Sequence, residues 1–367
     1  MKADKELYFF IGTEAELIKL YPLITLVKSK NIRFKIVASG QNDISKSPFL
    51  RLINGGIIDI NICYPAPIKK SFLGLATWYW RTERLGLKIL KEYFLNIDLA
   101  DAFFVIHGDT VSTVMGSRIS KKIGIRFAHI EAGYRSFNFL NPFPEEIDRY
   151  ISSIHAAISF SVGPETTKNL LRNQGLAVDT VYNTVIETVH FALEQNRAKI
   201  DEQLLPEPFF VFVFHRQENL LNRSMCKKVC AEIHELSKKI KCVFIYHEYT
   251  KNVLQSYDLF EEFVASERIK LIPRVPYLEF IGLVSSSEFV ITDGAGNQQE
   301  MFYLGKPCLL LRKNVEGSEG LGITTKLFNQ DFSQIVKFYD DYKSFRRDII
   351  TTEIKPSEII LESIMKV

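Results

Sequence analysis

A chain of 367 residues, 46% of them hydrophobic, is too long for one typical domain and has enough apolar side chain for two cores. A net charge of +3 makes no case for a nucleic-acid partner, and five cysteines at irregular positions (Cys63, Cys226, Cys230, Cys242, Cys308) fit reduced thiols in a cytoplasmic protein better than a disulfide framework. No apolar run approaches the roughly 20 residues that cross a bilayer, and the polar opening 1–6 lacks the apolar core of a signal peptide, so stable membrane insertion is not expected.

Residues 7–11 read as a strand ended by Gly12. Thr13 and Glu16 then form a Thr-x-x-Glu capping box that opens a helix over 14–29. A strand at 33–38 closes in Ser39-Gly40-Gln41, and helices follow at 43–54 and 72–95. Next come a strand at 102–106, a helix at 111–123, a strand at 125–130, a helix at 145–153 and a strand at 155–161. The segment 72–95, with Trp78, Tyr79 and Trp80, reads as a large amphipathic helix packed on the first domain; a surface resting on a membrane or partner is the alternative.

The pattern restarts after Asn183. A helix at 188–198 leads through a polar, proline-containing connector at 201–208 to the very apolar strand 209–214. A helix at 224–239, strands at 242–246 and 269–272, a helix at 277–285, a strand at 289–292, a helix at 297–304 and a strand at 308–311 complete it. Such alternation predicts an α/β protein of two doubly wound, mostly parallel domains facing a cleft, with a hinge within 183–205.

Three acidic clusters stand out: His107-Gly108-Asp109-Thr110, His129-Ile130-Glu131-Ala132-Gly133 and Pro144-Glu145-Glu146. The first two each end an apolar run, and ligands of open α/β sheets bind beyond the carboxyl ends of the strands. Asp109 and Glu131 are therefore expected in one cleft, repelling each other so that one pKa rises toward neutrality, as suits a proton-transfer pair. His107 and His129, inside strand ends, read as structural.

The loop Gly12-Thr13-Glu14-Ala15-Glu16 opens a helix whose amino end can bind an anion. Neither a Gly-x-Gly-x-x-Gly fingerprint nor a P-loop occurs there, and no Asp-x-Asp occurs anywhere, so a dinucleotide cofactor and a metal-bridged site are both unsupported. Asp293-Gly294-Ala295-Gly296-Asn297-Gln298-Gln299-Glu300 is a second candidate anion site, small enough for close backbone approach, with Glu300 one turn into the helix to accept from ribose hydroxyls. A tight turn with a surface glutamate fits the same residues. In His215-Arg216-Gln217-Glu218-Asn219 the histidine is a candidate acid or phosphate donor, and a local Arg216–Glu218 ion pair is the plainer reading of the arginine. His247 ends another strand. Cys226 and Cys230 lack further ligands at metal-binding spacing, so no metal is expected.

In this order, the motifs resemble the UDP-N-acetylglucosamine 2-epimerase family. Its members carry Gly-Thr-Arg-Pro-Glu, Gly-Asp-Thr, His-Val-Glu-Ala-Gly, Pro-Glu-Glu-x-x-Asn-Arg, His-Arg-x-Glu-Asn and Asp-Ser-Gly-Gly-x-Gln-Glu-Glu segments; the matches here run from Gly12 to Gly320. The resemblance implies the glycosyltransferase-B type of fold, two Rossmann-like domains about a cleft. It implies an acid–base domain at 1–185, a nucleotide-binding domain at 186–350 and a tail at 351–367 packing back on the first. It makes Asp109, Glu131 and Glu145 catalytic carboxylates and His215 the active-site histidine. Lys19, Gln41, Arg149, Arg216, Gly294, Gly296, Glu300, Arg312 and Glu316 become substrate- or nucleotide-binding residues. The implied partner is a UDP-sugar, handled by a cytoplasmic homodimer without metal or redox cofactor and feeding surface-polysaccharide synthesis. The implied reaction removes the C2 proton, eliminates UDP and re-adds it on a reversed C2 face.

The chain departs from the pattern at several places. Glu14 and Ala15 replace arginine and proline, Gly294 replaces serine, Ala295 a glycine and Gln299 the first glutamate of a pair, while Tyr182, Asp148 and Gly317 replace glycine, asparagine and a second arginine. Two positions expected to bring positive charge to a diphosphate have thus changed, while the acid–base set is kept. A hydrolysing epimerase, a glycosyltransferase and a nucleotide-sugar sensor without turnover are the alternatives.

Overall fold

Side chains buried on both faces mark a central parallel strand, and in β1 (Glu6–Ile11) every residue after the first is buried. The computed structural model describes residues 5–64, 72–135, 137, 145–171, 176–196, 207–313, 315 and 317–367. The chain divides into unit 1, Met1–Thr188 with Glu353–Val367, and unit 2, Val189–Thr352.

In unit 1, β1 joins β2 (Phe34–Ala38), β3 (Ile60–Asn61), β4 (Ala102–His107), β5 (Arg126–Ala132), β6 (Ile158–Ser161) and β7 (Leu176–Asp179) in one sheet. Its order is β3-β2-β1-β4-β5-β6-β7, with every pairing parallel. Unit 2 repeats the plan with β8 (Phe209–Val213), β9 (Lys241–Tyr246), β10 (Ile269–Pro273), β11 (Val290–Thr292), β12 (Cys308–Leu310) and β13 (Thr325–Leu327). Their order is β10-β9-β8-β11-β12-β13, again parallel throughout. The predicted α/β class with two parallel sheets and alternating helices is what the chain adopts. The winding reverses between β1 and β4 in one unit and between β8 and β11 in the other, and loops after those strands flank a switch point suited to ligands.

Helix Glu14–Ser29 begins as its sequence requires: Thr13 Oγ1 accepts from Glu16 N, and the Glu16 carboxylate reaches back to Thr13 N. Pro22 lies inside this helix and has no N–H for the carbonyl four residues before it. That carbonyl, of Ile18, is taken up by the Thr188 hydroxyl at 2.9 Å. The tail helix Pro356–Lys366 packs on the same unit: Ser357 donates its N–H and hydroxyl to Glu187 at 2.9 and 2.6 Å, and Lys5 Nζ reaches Ile364 O at 2.8 Å. The core of unit 1 gathers Tyr8, Phe10, Phe104, Ile119 and Phe127, and that of unit 2 Phe210, Phe212, Phe244, Phe289 and Phe338.

Several predicted bounds are corrected. The helix expected at 43–54 starts only at Pro48, because Asp43 Oδ1 captures Ser45 N and Oγ in a local turn and proline favours the first helical position. The strand expected from 155 starts at Ile158, and the helix expected from 188 starts at Val185, whose N–H is capped by Asn183 Oδ1 at 3.0 Å. Residues 201–206 of the expected connector lie outside the described residues. Helix Phe72–Tyr93 buries Trp78 and sets the buried Glu83 carboxylate 3.0 Å from Arg118 and 2.8 Å from Lys122. Among the described residues, no helix is long and apolar enough to cross a membrane.

Candidate active site

The loops of unit 1 at its switch point are drawn together by backbone contact first. A Cβ on Gly12 would lie 2.1 Å from Ser112 Oγ, so only glycine lets the end of β1 approach the helix that follows β4. Ser112 donates its N–H and hydroxyl to Gln41 Oε1 at 3.1 and 2.7 Å, which fixes the predicted Gln41 against that helix. Glu16, also buried, accepts from Gly12 N at 2.6 Å, from Thr13 N at 3.1 Å and from the Thr110 hydroxyl at 2.5 Å. Burial pushes its carboxyl up to about 7 against those hydrogen bonds, and the charge of Asp109 adds to the rise.

Asp109 follows β4. Arg149 Nε and Nη2 donate to its Oδ2 at 2.8 and 2.5 Å. Behind Arg149 stands the fully buried Glu146, 3.7 Å from Nη1, which also accepts from Arg135 Nε at 2.6 Å. Charges of alternating sign thus run from Arg135 through Glu146 and Arg149 to Asp109.

Glu131 lies near the end of β5, where the pairing with β6 shifts register, and its φ is +60°. A left-handed conformation costs a non-glycine residue roughly 1–3 kcal/mol and persists only where its surroundings enforce it. The enforcing contacts are Lys19 Nζ, at 2.8 and 2.6 Å from the two carboxylate oxygens, and Asn183 Nδ2 at 2.6 Å. Burial alone would lift the carboxyl, but Lys19, His107 and the Asn183 hydrogen bond together outweigh it, and Glu131 is held down at about 2. His107 Nε2 is 3.4 Å from Glu131, and burial pushes this ring down to about 4, so it is neutral at pH 7. His129 donates from Nε2 to Gly108 O at 2.7 Å and is likewise held at about 4 by burial.

The expectation of two repelling carboxylates with one pKa raised is corrected here. Each acid is met by its own cation, Glu131 by Lys19 and Asp109 by Arg149, and the carboxyl lifted toward neutrality is Glu16. Glu145 opens helix Glu145–Ser153, but its side chain lies outside the described residues, as does Glu316.

Unit 2 builds its switch point around one carboxylate. Asp293, fully buried after β11, accepts from His215 N and Arg216 N, both at 3.0 Å, and from Asn219 Nδ2 at 3.1 Å. His215 Nδ1 lies 3.4 Å from Asp293 Oδ1, and its ring stacks on that of His247 with centroids 4.9 Å apart and planes 9° apart. Burial lowers the proton affinity of both rings; Arg216 lowers that of His215 further and His215 that of His247, and Arg274, just after β10, adds to both, so that His247 falls to about 4. Arg216 forms the ion pair foreseen as its plainer reading, with Nε 2.7 Å from Glu218 Oε1.

Gly294 precedes helix Ala295–Tyr303, its N–H held by Thr292 Oγ1 at 3.1 Å. A Cβ at Gly296 would meet nothing within 4 Å, so that helix start is open. Glu300 is buried one turn on, accepting from Asn297 Nδ2 at 3.0 Å, and its charge together with burial raises the Tyr277 hydroxyl well above the usual tyrosine range. Arg312 is buried just beyond β12. Among the described residues, no group of three or more His, Cys, Asp or Glu is placed to hold a metal ion.

Sequence reasoning missed Glu16 and Asp293 as site organisers. The signal for Asp293 was an acid ending an apolar strand, the same signal that found Asp109.

Such loops, set at the winding reversals of two parallel sheets, define a two-unit α/β protein of the ligand-binding, doubly wound class. The family model described as UDP-N-acetylglucosamine 2-epimerase matches residues 89–351, and the chain belongs to that family. The chain is similar to the UDP-N-acetylglucosamine 2-epimerase of Methanocaldococcus jannaschii, 29% identical over 341 residues that cover 89% of this chain and 88% of the relative. Its structure is similar to that of the M. jannaschii enzyme in complex with UDP-GlcNAc and UDP (TM-score 0.81, 25% identity, covering 99% of this chain and 100% of that one). It is also similar to the UDP-GlcNAc 2-epimerase of Neisseria meningitidis bound to UDP-GlcNAc (TM-score 0.83, 25% identity, with the same coverage).

Proposed function

We propose that this protein epimerises UDP-N-acetylglucosamine at C2, and that Asp109, Glu131, Glu145 and His215 carry the chemistry. The observation behind the reading is the strained Glu131, kept as an anion by Lys19 near the end of β5, the strand paired with the β4 that Asp109 follows. A C2 proton is weakly acidic and needs a positioned carboxylate to receive it. As that proton leaves, its bonding pair forms a double bond between C1 and C2, the C1–O bond breaks, and UDP departs with that bond's electrons. Re-addition of UDP at C1 with protonation of C2 from the other face gives the epimer, so the balance needs no oxidant or reductant.

The leaving diphosphate gains negative charge, which amides at a helix start and polar hydrogens take up. In unit 2 that role falls to the open amino end of helix Ala295–Tyr303 at Gly294 and Gly296, with His215, Arg216, Glu300 and Arg312 serving the nucleotide side. Lys19, Gln41 and Arg149 serve the sugar side, with Lys19 paired to Glu131 and Arg149 to Asp109. Action in the cytoplasm, as a homodimer supplying surface-polysaccharide synthesis, is part of the same reading and rests on the family resemblance.

The experiment is proton NMR of the purified protein with UDP-N-acetylglucosamine in deuterated water. The expected result is deuterium at C2 and new UDP-N-acetylmannosamine signals. Free UDP accumulating with free N-acetylmannosamine would instead mark a hydrolysing enzyme, and the absence of both exchange and a new sugar would overturn the proposal.

A further inference from the structure

We infer that Glu16 is a positioning residue for Asp109, acting through the Thr110 hydroxyl. The inference rests on the proposed catalytic role of Asp109 and extends it to a residue that cannot itself be reached by substrate, since Glu16 is buried.

The geometry is specific. Glu16 Oε2 is occupied by Gly12 N and Thr13 N, so it anchors the loop after β1. Oε1 accepts a hydrogen bond from the Thr110 hydroxyl, in the loop after β4. Thr110 Oγ1 in turn accepts from Thr113 N at 3.2 Å, as the cap of helix Val111–Ile123. With its hydrogen given to Glu16 and a lone pair given to Thr113, the hydroxyl has one orientation available. Thr110 N–H is also engaged, by Thr113 Oγ1 at 3.2 Å. The peptide carrying Asp109 is thereby fixed on its carboxyl side, while Gly108 on the other side has φ +70° and bonds its N–H to Ile130 O at 2.9 Å. A residue placed between two such fixed points presents its carboxylate to Arg149 in one direction.

Glutamine at position 16 tests this link selectively. Its carbonyl oxygen still serves Gly12 and Thr13, but its amide meets Thr110 as a donor where a carboxylate accepted, so the Thr110 hydroxyl must reverse its role. In Glu16→Gln, kcat is expected to fall by about tenfold to a hundredfold, the scale of an ångström-sized misplacement of a catalytic group, with KM within about twofold. Thr110→Val should show the same split, Thr110→Ser should recover most of the lost kcat, and the double variant Glu16→Gln/Thr110→Val should be no slower than the worse single, because both break one link.

A kcat for Glu16→Gln within twofold of wild type, a loss carried by KM alone, or multiplicative losses in the double variant would each overturn the assignment. Asp109→Asn, run in the same assay, separates the two levels. If it turns over like wild type, the catalytic reading of Asp109 fails and this inference falls with it. If it is inactive while Glu16→Gln is unimpaired, only the positioning role fails.

Discussion

Lys19 Nζ grips both oxygens of Glu131, at 2.8 and 2.6 Å, across 112 residues of sequence. Both side chains are largely buried, so neither charge is comfortable without the other. Removing one member of such a pair typically costs about 3–5 kcal/mol, while removing both costs far less. Lys19→Met is therefore expected to lower unfolding free energy by about 3 kcal/mol, and Lys19→Met/Glu131→Gln to recover much of it. Urea unfolding of the two variants checks this; a double variant less stable than Lys19→Met would refute it.

Stability should respond to pH with two opposite signs. Glu131 is depressed to about 2, so its contribution is complete above the ordinary carboxylate range and disappears as pH falls through about 2. His107 and His129, depressed to about 4, are neutral in the fold, and their contribution is lost as pH falls from about 6.5 through 4. Glu16 is raised to about 7, so its contribution is complete below its ordinary value of 4.5 and fades as pH rises through 7. Wild type should lose stability steadily below about pH 5. Glu16→Gln should gain on wild type between about pH 5 and 8. Urea midpoints across that range, flat in the difference between the two proteins, would contradict the assignment to Glu16.

Restoring the serine of the family pattern at position 294 should harm the protein. A Cβ there would lie 2.6 Å from Asn297 Oδ1 and 2.9 Å from His215 Cε1. Gly294→Ser must push the His215 ring off its stack on His247 or break the Thr292–Asn297 bond of 3.0 Å. A fall in turnover of about tenfold or more is expected from a shift of that size. Steady-state kinetics decide it, and activity equal to wild type would show that the histidine pair moves freely.

Gly12→Ala is expected to cost about 1–3 kcal/mol, the usual range for overpacking, because its methyl collides with both Ser112 Oγ and Cβ. Ser112→Gly clears both atoms, so adding it to Gly12→Ala should return part of the loss in a thermal melt. If the pair is simply additive, the collision is not what destabilises Gly12→Ala.

Much of this was legible in the residues. The Thr13–Glu16 cap and the run to Ser29 are local chemistry, and helices Glu14–Ser29, Val111–Ile123 and Glu145–Ser153 begin and end where composition places them. Asp109 and His215 were found because a polar residue ending an apolar strand is conspicuous. The pairings were not legible. Glu16 meets Thr110 from 94 residues away, and only because β1 lies beside β4. The mistaken expectation about Asp109 and Glu131 counted acids and overlooked where Lys19 and Arg149 would fall. Strands such as β3, with two residues, and β13, with three, are too short to show a periodicity and are held by their neighbours.

The polypeptide leaves unit 1 after Thr188 and comes back to it at Glu353, so unit 2 is inserted into unit 1. A mechanical load applied to the first and last residues would therefore bear on unit 1 alone. Stretching would have to peel the helix Pro356–Lys366 from its seat, breaking the Ser357–Glu187 and Lys5–Ile364 bonds, before any tension reached the other sheet. In a single-molecule pulling trace the carboxyl-terminal helix should yield first, and the unit carrying His215 and Asp293 should stay slack until it does.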